Sequence, residues 1–400
     1  MLANFGRSPT VSAEDTMQLS CMCPMTEVTE NLLLEELWQD LPRSGLRYRE
    51  GTVLQTLTSH SPINIDGNAN FSTTATNEGW PGDGSNSSPY VIANYSIEAG
   101  GVSGIRIANV DVYFIIENVH VNGSTNFQVG AFQLTRTQNG HIINSNSSDG
   151  YYGIHLVESN NNSLTGNLVT SNDRDGIHLH DSSNNNLTGN SATSNDRDGF
   201  HMFGSSNNIL SGNTATQNRE DGFHLHASSN YNILSGNTLT SNHYGINLGS
   251  SIKNNSLSGN ILALNFENNA LDNTDGSNTW DSNSYGDFTG GTPYTIPGTA
   301  GAVDQNPIED SDGDGYSDYD ELVAGTDPRD PASSPRITST TPPPSSTTPP
   351  PSSTTPPHTS SSELPSSEGE GVFLPFQQIF ALLTLCLISL RRRPKNTKKL

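Results

Sequence analysis

The chain has 400 residues, 41 of them acidic and 18 basic, for a formal net charge of -23 at pH 7. A polyanion does not neutralise phosphates, which excludes nucleic acid as a partner, and because Arg391, Arg392, Arg393, Lys395, Lys398 and Lys399 cluster at the very end, the body is more acidic than the total suggests. A hydrophobic fraction of 31% is low for a compact globule and suits a narrow body dominated by polar turns, while Cys21, Cys23 and Cys386 support neither a disulfide framework nor a zinc site.

Residues 1–58 carry no readable domain. Leu33, Leu34, Leu37 and Leu41 share one face of a short amphipathic stretch that Pro42 ends. No charged segment followed by an apolar one marks a secretory signal. Residues 59–129 hold irregular strand-like runs at 90–97, 105–107 and 112–121 behind a turn at Trp80-Pro81-Gly82-Asp83-Gly84. They are expected to supply irregular first coils and a cap, because the first coil of a solenoid leaves strand edges that need cover.

From 130 to 270 the chain repeats. Gly130, Gly153, Gly176, Gly199, Gly222 and Gly245 are each 23 residues apart, and the Gly-Asn steps at Gly166-Asn167, Gly189-Asn190, Gly212-Asn213, Gly236-Asn237 and Gly259-Asn260 hold register at a second place. A fixed period of this size means a solenoid. Apolar alternation is short, as in Ile177/Leu179, Phe200/Met202 and Phe223/Leu225, and no stretch has helical periodicity. Each coil therefore holds three short strands and three turns, stacked about 4.8 Å from the next. The fold class is all-β, a parallel β-helix. The columns Leu164/Leu187/Leu210/Leu234/Leu257 and Val169/Ala192/Ala215/Leu239/Leu262 fill its core. The columns Asn167/Asn190/Asn213/Asn237/Asn260 and Asn172/Asn195/Asn218/Asn242/Asn265 read as turn ladders, since Asn tolerates left-handed backbone and stacked amides bond from coil to coil.

Residues 271–308 read as a loop-rich closure of the solenoid. The acidic stretch 309–334 follows, with Asp310, Asp312, Asp314, the Tyr316 carbonyl, Asp318 and Glu321 at the ligand positions of a twelve-residue calcium loop and Gly315 at its turn. Calcium needs six to eight oxygens, which this spacing supplies. Residues 335–371 repeat PPPSSTT and should form an extended stalk. Residues 372–390 are apolar enough to span a bilayer as a helix, and the basic tail 391–400 places that end on the cytoplasmic side. The body then belongs outside the cell, which conflicts with the missing signal; a replaced or misassigned gene start resolves the conflict, and a sortase-like cleavage of the terminal helix is a further possibility. Export would also open the sequons at Asn70, Asn86, Asn94, Asn122, Asn146, Asn161, Asn186 and Asn254 to glycosylation.

His155, His178, His201 and His224 share one repeat position between two inward apolar residues, so they are expected to face solvent in a row about 4.8 Å apart. Asp175, Asp198 and Asp221 precede the strands, with Arg174 and Arg197 beside the first two, Tyr152 and Tyr244 in equivalent outer places, and His180 and His226 adding partial second rungs. Three readings stand open. His155, His178, His201, His224, Asp175, Asp198 and Arg197 contact a carbohydrate; the imidazoles hold a metal such as copper or zinc; or one successful coil was duplicated with its histidine. A lyase or epimerase needs a base near neutral pKa and a cation opposite the uronate carboxylate, and a hydrolase needs two carboxylates at a set separation.

The GI-x-L and NN-x-L-x-GN repeats, the leading segment GWPGDGSNSSPYVI and the closing GTPYTIPGTAGAVDQNP resemble the NosD-like right-handed parallel β-helix proteins, within the wider pectin-lyase-like group of carbohydrate-binding proteins and sugar hydrolases. The resemblance covers residues 61–305. The text from Asp310 to Pro331, with Asp327 and Asp330 able to join a neighbouring site, resembles thrombospondin type 3 and dockerin-like calcium repeats, and the full layout resembles archaeal cell-surface proteins. The resemblance implies a scaffold more than an activity. It fits a surface-anchored, non-catalytic protein of carbohydrate binding or adhesion, with calcium as its cofactor, a glycan and the membrane as its partners. The alternatives are a polysaccharide lyase, epimerase or hydrolase, and a copper-handling accessory protein, although no Met/Cys/His cluster supports the last.

Overall fold

The structure, a computed structural model, describes residues 56–290 and 293–335. The chain divides into Met1–Ile337 and Thr338–Leu400, and all described residues fall in the first unit. The expected leader, stalk, membrane span and basic tail lie outside the described residues; among the described residues no helix is long and apolar enough to cross a membrane.

Three parallel sheets of 10, 9 and 11 strands run the length of the body, each coil contributing one strand to each. Only the last pair, Tyr294–Thr295 on Val303–Asp304, is antiparallel. Register is kept by like residues stacking on like: Ile177 pairs with Phe200 and Phe200 with Phe223, while Leu187 pairs with Leu210 and Leu210 with Leu234. The two apolar columns read from the sequence are fully buried. Because side chains alternate across a strand, every inward residue lands on the inward residue of the next coil, and one slip would expose the whole column.

The asparagines lie deeper than turn residues. Asn167, Asn190, Asn213, Asn237 and Asn260 are at most 1% exposed, and each amide nitrogen donates to the side-chain oxygen of the next asparagine along the axis. The left-handed residue is the one before: Gly166 has φ 65°, whereas Asn167 is not among the positive-φ residues. The expectation that these asparagines carry the turn geometry is thus corrected. Glycine takes the turn at no steric cost, and Asn turns inward to satisfy backbone groups that the corner would leave bare. A further ladder, Asn162, Asn185, Asn208, Asn232 and Asn255, and a serine ladder, Ser159, Ser182, Ser205 and Ser229, do the same at another corner.

Asn190→Ala should therefore be costly. It would strip partners from the Asn167 backbone N–H, the Asn167 amide and the Leu164 carbonyl. At about 1–3 kcal/mol for each buried group left unpaired, the loss should reach about 3 kcal/mol or more, readable by denaturant unfolding; a change inside about 0.5 kcal/mol, the range of neutral surface substitutions, would refute the ladder as a stabilising element.

Both ends are closed. The helix Asn68–Glu78 lays Phe71 and Ala75 over the first coil, with Phe71 stacked 4.8 Å from Tyr90 and tilted 5.5 Å from Phe114. Its Thr-rich sequence shows almost no amphipathic pattern beyond that pair, so the cap was legible only as irregularity. At the other end the Asp304 carboxylate accepts from the Ser282 and Asn283 backbone N–H groups, the Asn283 amide and the Tyr285 hydroxyl, ending one asparagine ladder. The acidic repeat docks on the solenoid instead of trailing from it. Arg329 donates to the Thr238 hydroxyl and to the Asn237 and Gly259 carbonyls.

Candidate functional site

The 9-stranded sheet carries the histidines on its outer side. Gln133, His155, His178, His201, His224 and Asn247 pair in register along it. All but Asn247 floor a groove of about 600 Å³, flanked by Tyr152, Arg174 and Arg197 on one side and by His180, Phe203 and His226 on the other. The row is one row, as expected, but it does not face open solvent. His155, His178 and His201 are 6%, 7% and 4% exposed. Imidazoles 4.6–5.1 Å apart cover one another, and Tyr152, itself buried, leans on His155 and His178 at 4.5 and 4.8 Å. The placement of these histidines and of Tyr152 as solvent-facing is corrected on that ground.

Beneath the imidazoles runs a line of carboxylates. Asp175 lies 2.7 Å from His178 Nδ1 and 3.1 Å from His201 Nδ1; Asp198 lies 3.3 Å from His224 Nδ1; Asp221 accepts from the Asn247 amide at 2.8 Å. Asp198 also accepts the backbone N–H of Asp221, so each aspartate is fixed by the coil beside it. An ionised carboxylate only accepts, so His178 carries its proton on Nδ1 and leaves Nε2 as an acceptor toward the groove. Arg174 donates to the hydroxyls of Tyr151 and Tyr152, and Arg197 donates to Glu220 at 2.9 Å.

The charges sort along the groove. Burial would raise the Asp175 carboxyl, yet the bonds from His178 and His201 hold it below the usual carboxylate range. Burial draws His178 below its ordinary value against the pull of Asp175, and it draws His155 down to about 3. Burial pulls His224 down as well, but the Asp198 bond together with the charges of Asp198 and Asp221 carries it above its ordinary value. Burial and the neighbouring Asp198 push Asp221 up to about 6. Burial pushes the Tyr152 phenol up to about 12. His226 is drawn down to about 4 by burial and by His201, whose Nε2 faces its own Nε2 at 2.7 Å.

The sequence brought forward residues that line or underlie this one groove and missed how they hold each other. Asp175 and Asp198, named as glycan contacts, have fully buried side chains that work through the imidazoles. The signal was present as Asp three residues before His in successive coils. His226, read as a partial rung, meets His201 across the two outer columns, which no single-coil pattern displays.

The acidic repeat gathers a second candidate cluster. Asp310 accepts from the Gly313 and Gly315 backbone N–H groups, and the oxygens of Asp310, Asp312 and Asp314 converge within 4.8 Å. Asp318 opens the helix Asp318–Ala324, capped by Ser317, and accepts from Ser311. Glu321 is fully buried, and its Oε2 and Asp312 Oδ2 have no hydrogen-bond partner among the described residues. Burial, then Asp312, raises the Glu321 carboxyl to about 7. Orphaned carboxylate oxygens facing more carboxylates fit a hard cation.

Among curated proteins none matches the chain in sequence. Solved structures similar to it include pectate lyase Pel9A, at 15% identity and TM-score 0.46, covering 71% of this chain and 91% of that one. The A-module of the Azotobacter vinelandii mannuronan C-5 epimerase AlgE4 is similar at 14% identity and TM-score 0.36, covering 62% and 81%. A double mutant of the periplasmic alginate epimerase AlgG is similar at 19% identity and TM-score 0.34, covering 48% of this chain; the chain spans 56% of that protein's length. None of these likenesses bears on what the groove does. Residues 310–331 match the Bacterial TSP3 repeat. Residues 85–298, more than half of the chain, match the family described as Periplasmic copper-binding protein (NosD), and the chain belongs to that family.

Proposed function

We propose that the groove binds an acidic polysaccharide and removes the proton beside a uronate carboxylate, acting as a lyase or epimerase. The observation that carries this reading is His178, gripped at Nδ1 by Asp175 at 2.7 Å and flanked by Arg174 and Arg197 on the same groove. A carbon acid beside a carboxylate needs a base and a cation to hold the charge that develops. His178 Nε2 takes the proton; the electron pair moves into the carboxylate, which Arg174 and Arg197 face. From there a proton delivered to the opposite face inverts the centre, or the neighbouring glycosidic C–O bond breaks and leaves a C=C bond, with the Tyr152 phenol able to protonate the departing oxygen.

We favour this over the simpler readings of passive adhesion and of coils duplicated without a ligand. Duplicated coils without a ligand would present the same residues, whereas the position before each glycine runs Tyr152, Asp175, Asp198, Asp221, Tyr244, with the aspartates beneath the imidazoles, and the second outer column runs Val157, His180, Phe203, His226. The cations are equally local. Arg106, Arg136, Arg174, Arg197, Arg219, Lys253 and Arg329 are the Lys and Arg residues of the described chain, and two of them stand on this groove. A second reading is copper binding, as the family's description has it. His201 and His226 Nε2 meet at 2.7 Å, and His201 Nδ1 is backed by Asp175, an arrangement of imidazole with a carboxylate behind it that suits copper or zinc.

The test is an assay of the full chain on polymannuronate, polyguluronate and polygalacturonate, read by absorbance of unsaturated uronate and by proton NMR of the sugar epimers, with chelator and with copper in parallel arms. Arg197→Gln should lower kcat/KM by about 10²–10³, as for removal of one charge-stabilising donor. No turnover and no retention on any polyuronate, together with tight copper uptake, would replace this reading by the second.

A further inference from the structure

The groove is not uniform at its end nearest the N-terminal cap. Val121 and Leu134 occupy the columns that Ala192 and Met202 occupy later, yet 13 residues separate the first pair and 10 the second. The extra length falls in the segment 123–129, which is tied down rather than loose. Asn126 donates its backbone N–H to the Gly101 carbonyl, Val129 to Asn126, and Tyr151 to Ser124. What this anchored segment presents is Phe127, 73% exposed.

Phe127 is not a stray apolar side chain. Its ring lies 5.2 Å from that of Tyr151, which meets Tyr152 edge-on at 4.8 Å, and the Arg174 guanidinium stands 5.8 and 5.5 Å from the two tyrosine rings. The aromatic line therefore runs from the proposed proton donor outward, past the cation, to an open ring face. Arg174 Nη1 donates to both tyrosine hydroxyls, which fixes the line in place and leaves its other N–H groups for a ligand. An exposed aromatic face continuous with a polar cleft is the surface on which the C–H face of a pyranose ring stacks, apolar on apolar with hydroxyls left in water.

We infer that Phe127, backed by Tyr151, is a stacking subsite for a neutral face of the polysaccharide, outside the reacting centre and on its N-terminal side. It rests on the reading of the groove as a polyuronate cleft and adds polarity to it: the polymer extends past Arg174 toward Phe127, since the carboxylates of Glu220, bonded to Arg197, and of Asp221, 3.6 Å from His224, stand by the opposite end. Phe127 is a positioning residue, so its loss should raise KM and leave kcat alone.

The experiment measures retention of the full chain in native gels cast with polyuronate, for wild type, Phe127→Ala, Phe127→Leu and Phe127→Trp, with melting temperature alongside. Alanine and leucine should each weaken retention by up to about tenfold, the range of one aromatic contact, without moving the melting temperature. Tryptophan should restore it, and its added emission should shift when oligouronate is bound. If wild type is retained and the alanine and leucine variants are retained equally well, the subsite is wrong while the groove stands. If leucine binds like wild type and only alanine fails, bulk and not the ring matters, and the stacking is overturned. If wild type itself is not retained on any polyuronate, the groove reading falls first and takes this one with it.

Discussion

His178→Asn is expected to remove polysaccharide turnover by about 10²–10⁴, the contribution of a positioned base, while leaving the solenoid folded. Asparagine is chosen because its amide nitrogen can stand where Nδ1 stands and keep donating to Asp175, which His201 also grips. The carboxylate would not be orphaned, and the loss would report the missing Nε2. The pH profile supplies a readout that mere structural damage would not move. Burial draws His178 below its ordinary value of 6.5 against the pull of Asp175, so the neutral form predominates at pH 6.5 and the acid limb of kcat/KM should lie below that value. The alkaline limb should be remote, because burial keeps the Tyr152 phenol protonated up to about 12. An acid limb at or above 6.5, or a variant as active as wild type, would take the base away from His178.

Much of this molecule is written in its spacing. A 23-residue step between glycines and a second step between Gly-Asn pairs were enough to stack the coils, and Leu187 or Ala192 could be placed in the core from one coil's alternation. Period carries this information because equivalent residues of successive coils are neighbours by construction. What one coil does to another's exposure is not periodic in the same sense. His178 points away from the core, as its alternation says, and is buried all the same because His155, His201 and Tyr152 lie against it.

Asparagine misled for a related reason. Its tolerance of left-handed backbone is a property of the isolated residue, and it predicted a turn role for Asn167 that Gly166 fills. The demand that decided the matter was non-local: a corner carbonyl such as that of Ile142 needs a donor inside the coil, and Asn167 supplies it from the next one. The N-terminal cap was hidden because it breaks the repeat, and Phe71 with Ala75 is too thin a pattern to announce a helix. The convergence of Asp310, Asp312 and Asp314 was easier, since their spacing is local; the docking of the repeat through Arg329 to residues about ninety positions earlier was not readable at all.

Glu321→Gln should weaken calcium binding at least tenfold, the largest effect expected at the acidic repeat. Wild type should bind with millimolar or tighter affinity, as extracellular calcium modules do. Asp310, Asp312, Asp314, the Tyr316 carbonyl, Asp318 and Glu321 are the proposed ligands. The fit rests on two buried oxygens without partners, Asp312 Oδ2 and Glu321 Oε2, and the match to a TSP3 repeat at 310–331 agrees with it. The sign of the pH effect follows from Glu321. Its carboxyl is raised from 4.5 to about 7 in the metal-free repeat, by burial first and then by Asp312. A raised pKa stabilises the folded repeat below 4.5 and withdraws that support as pH climbs through 7. Calcium would reverse the penalty by facing the ionised carboxylates, so its stabilisation should be larger at pH 8 than at pH 5. At a hundredfold excess over the dissociation constant, binding adds about 2.7 kcal/mol. Because Arg329 fastens the repeat to the coils at Thr238 and Gly259, that gain should appear in unfolding of the last coils as well as in the loop. Calorimetry of the full chain with calcium and with chelator, at both pH values, checks it. Identical traces with and without calcium at pH 8 would leave the acidic repeat as a docked linker and nothing more.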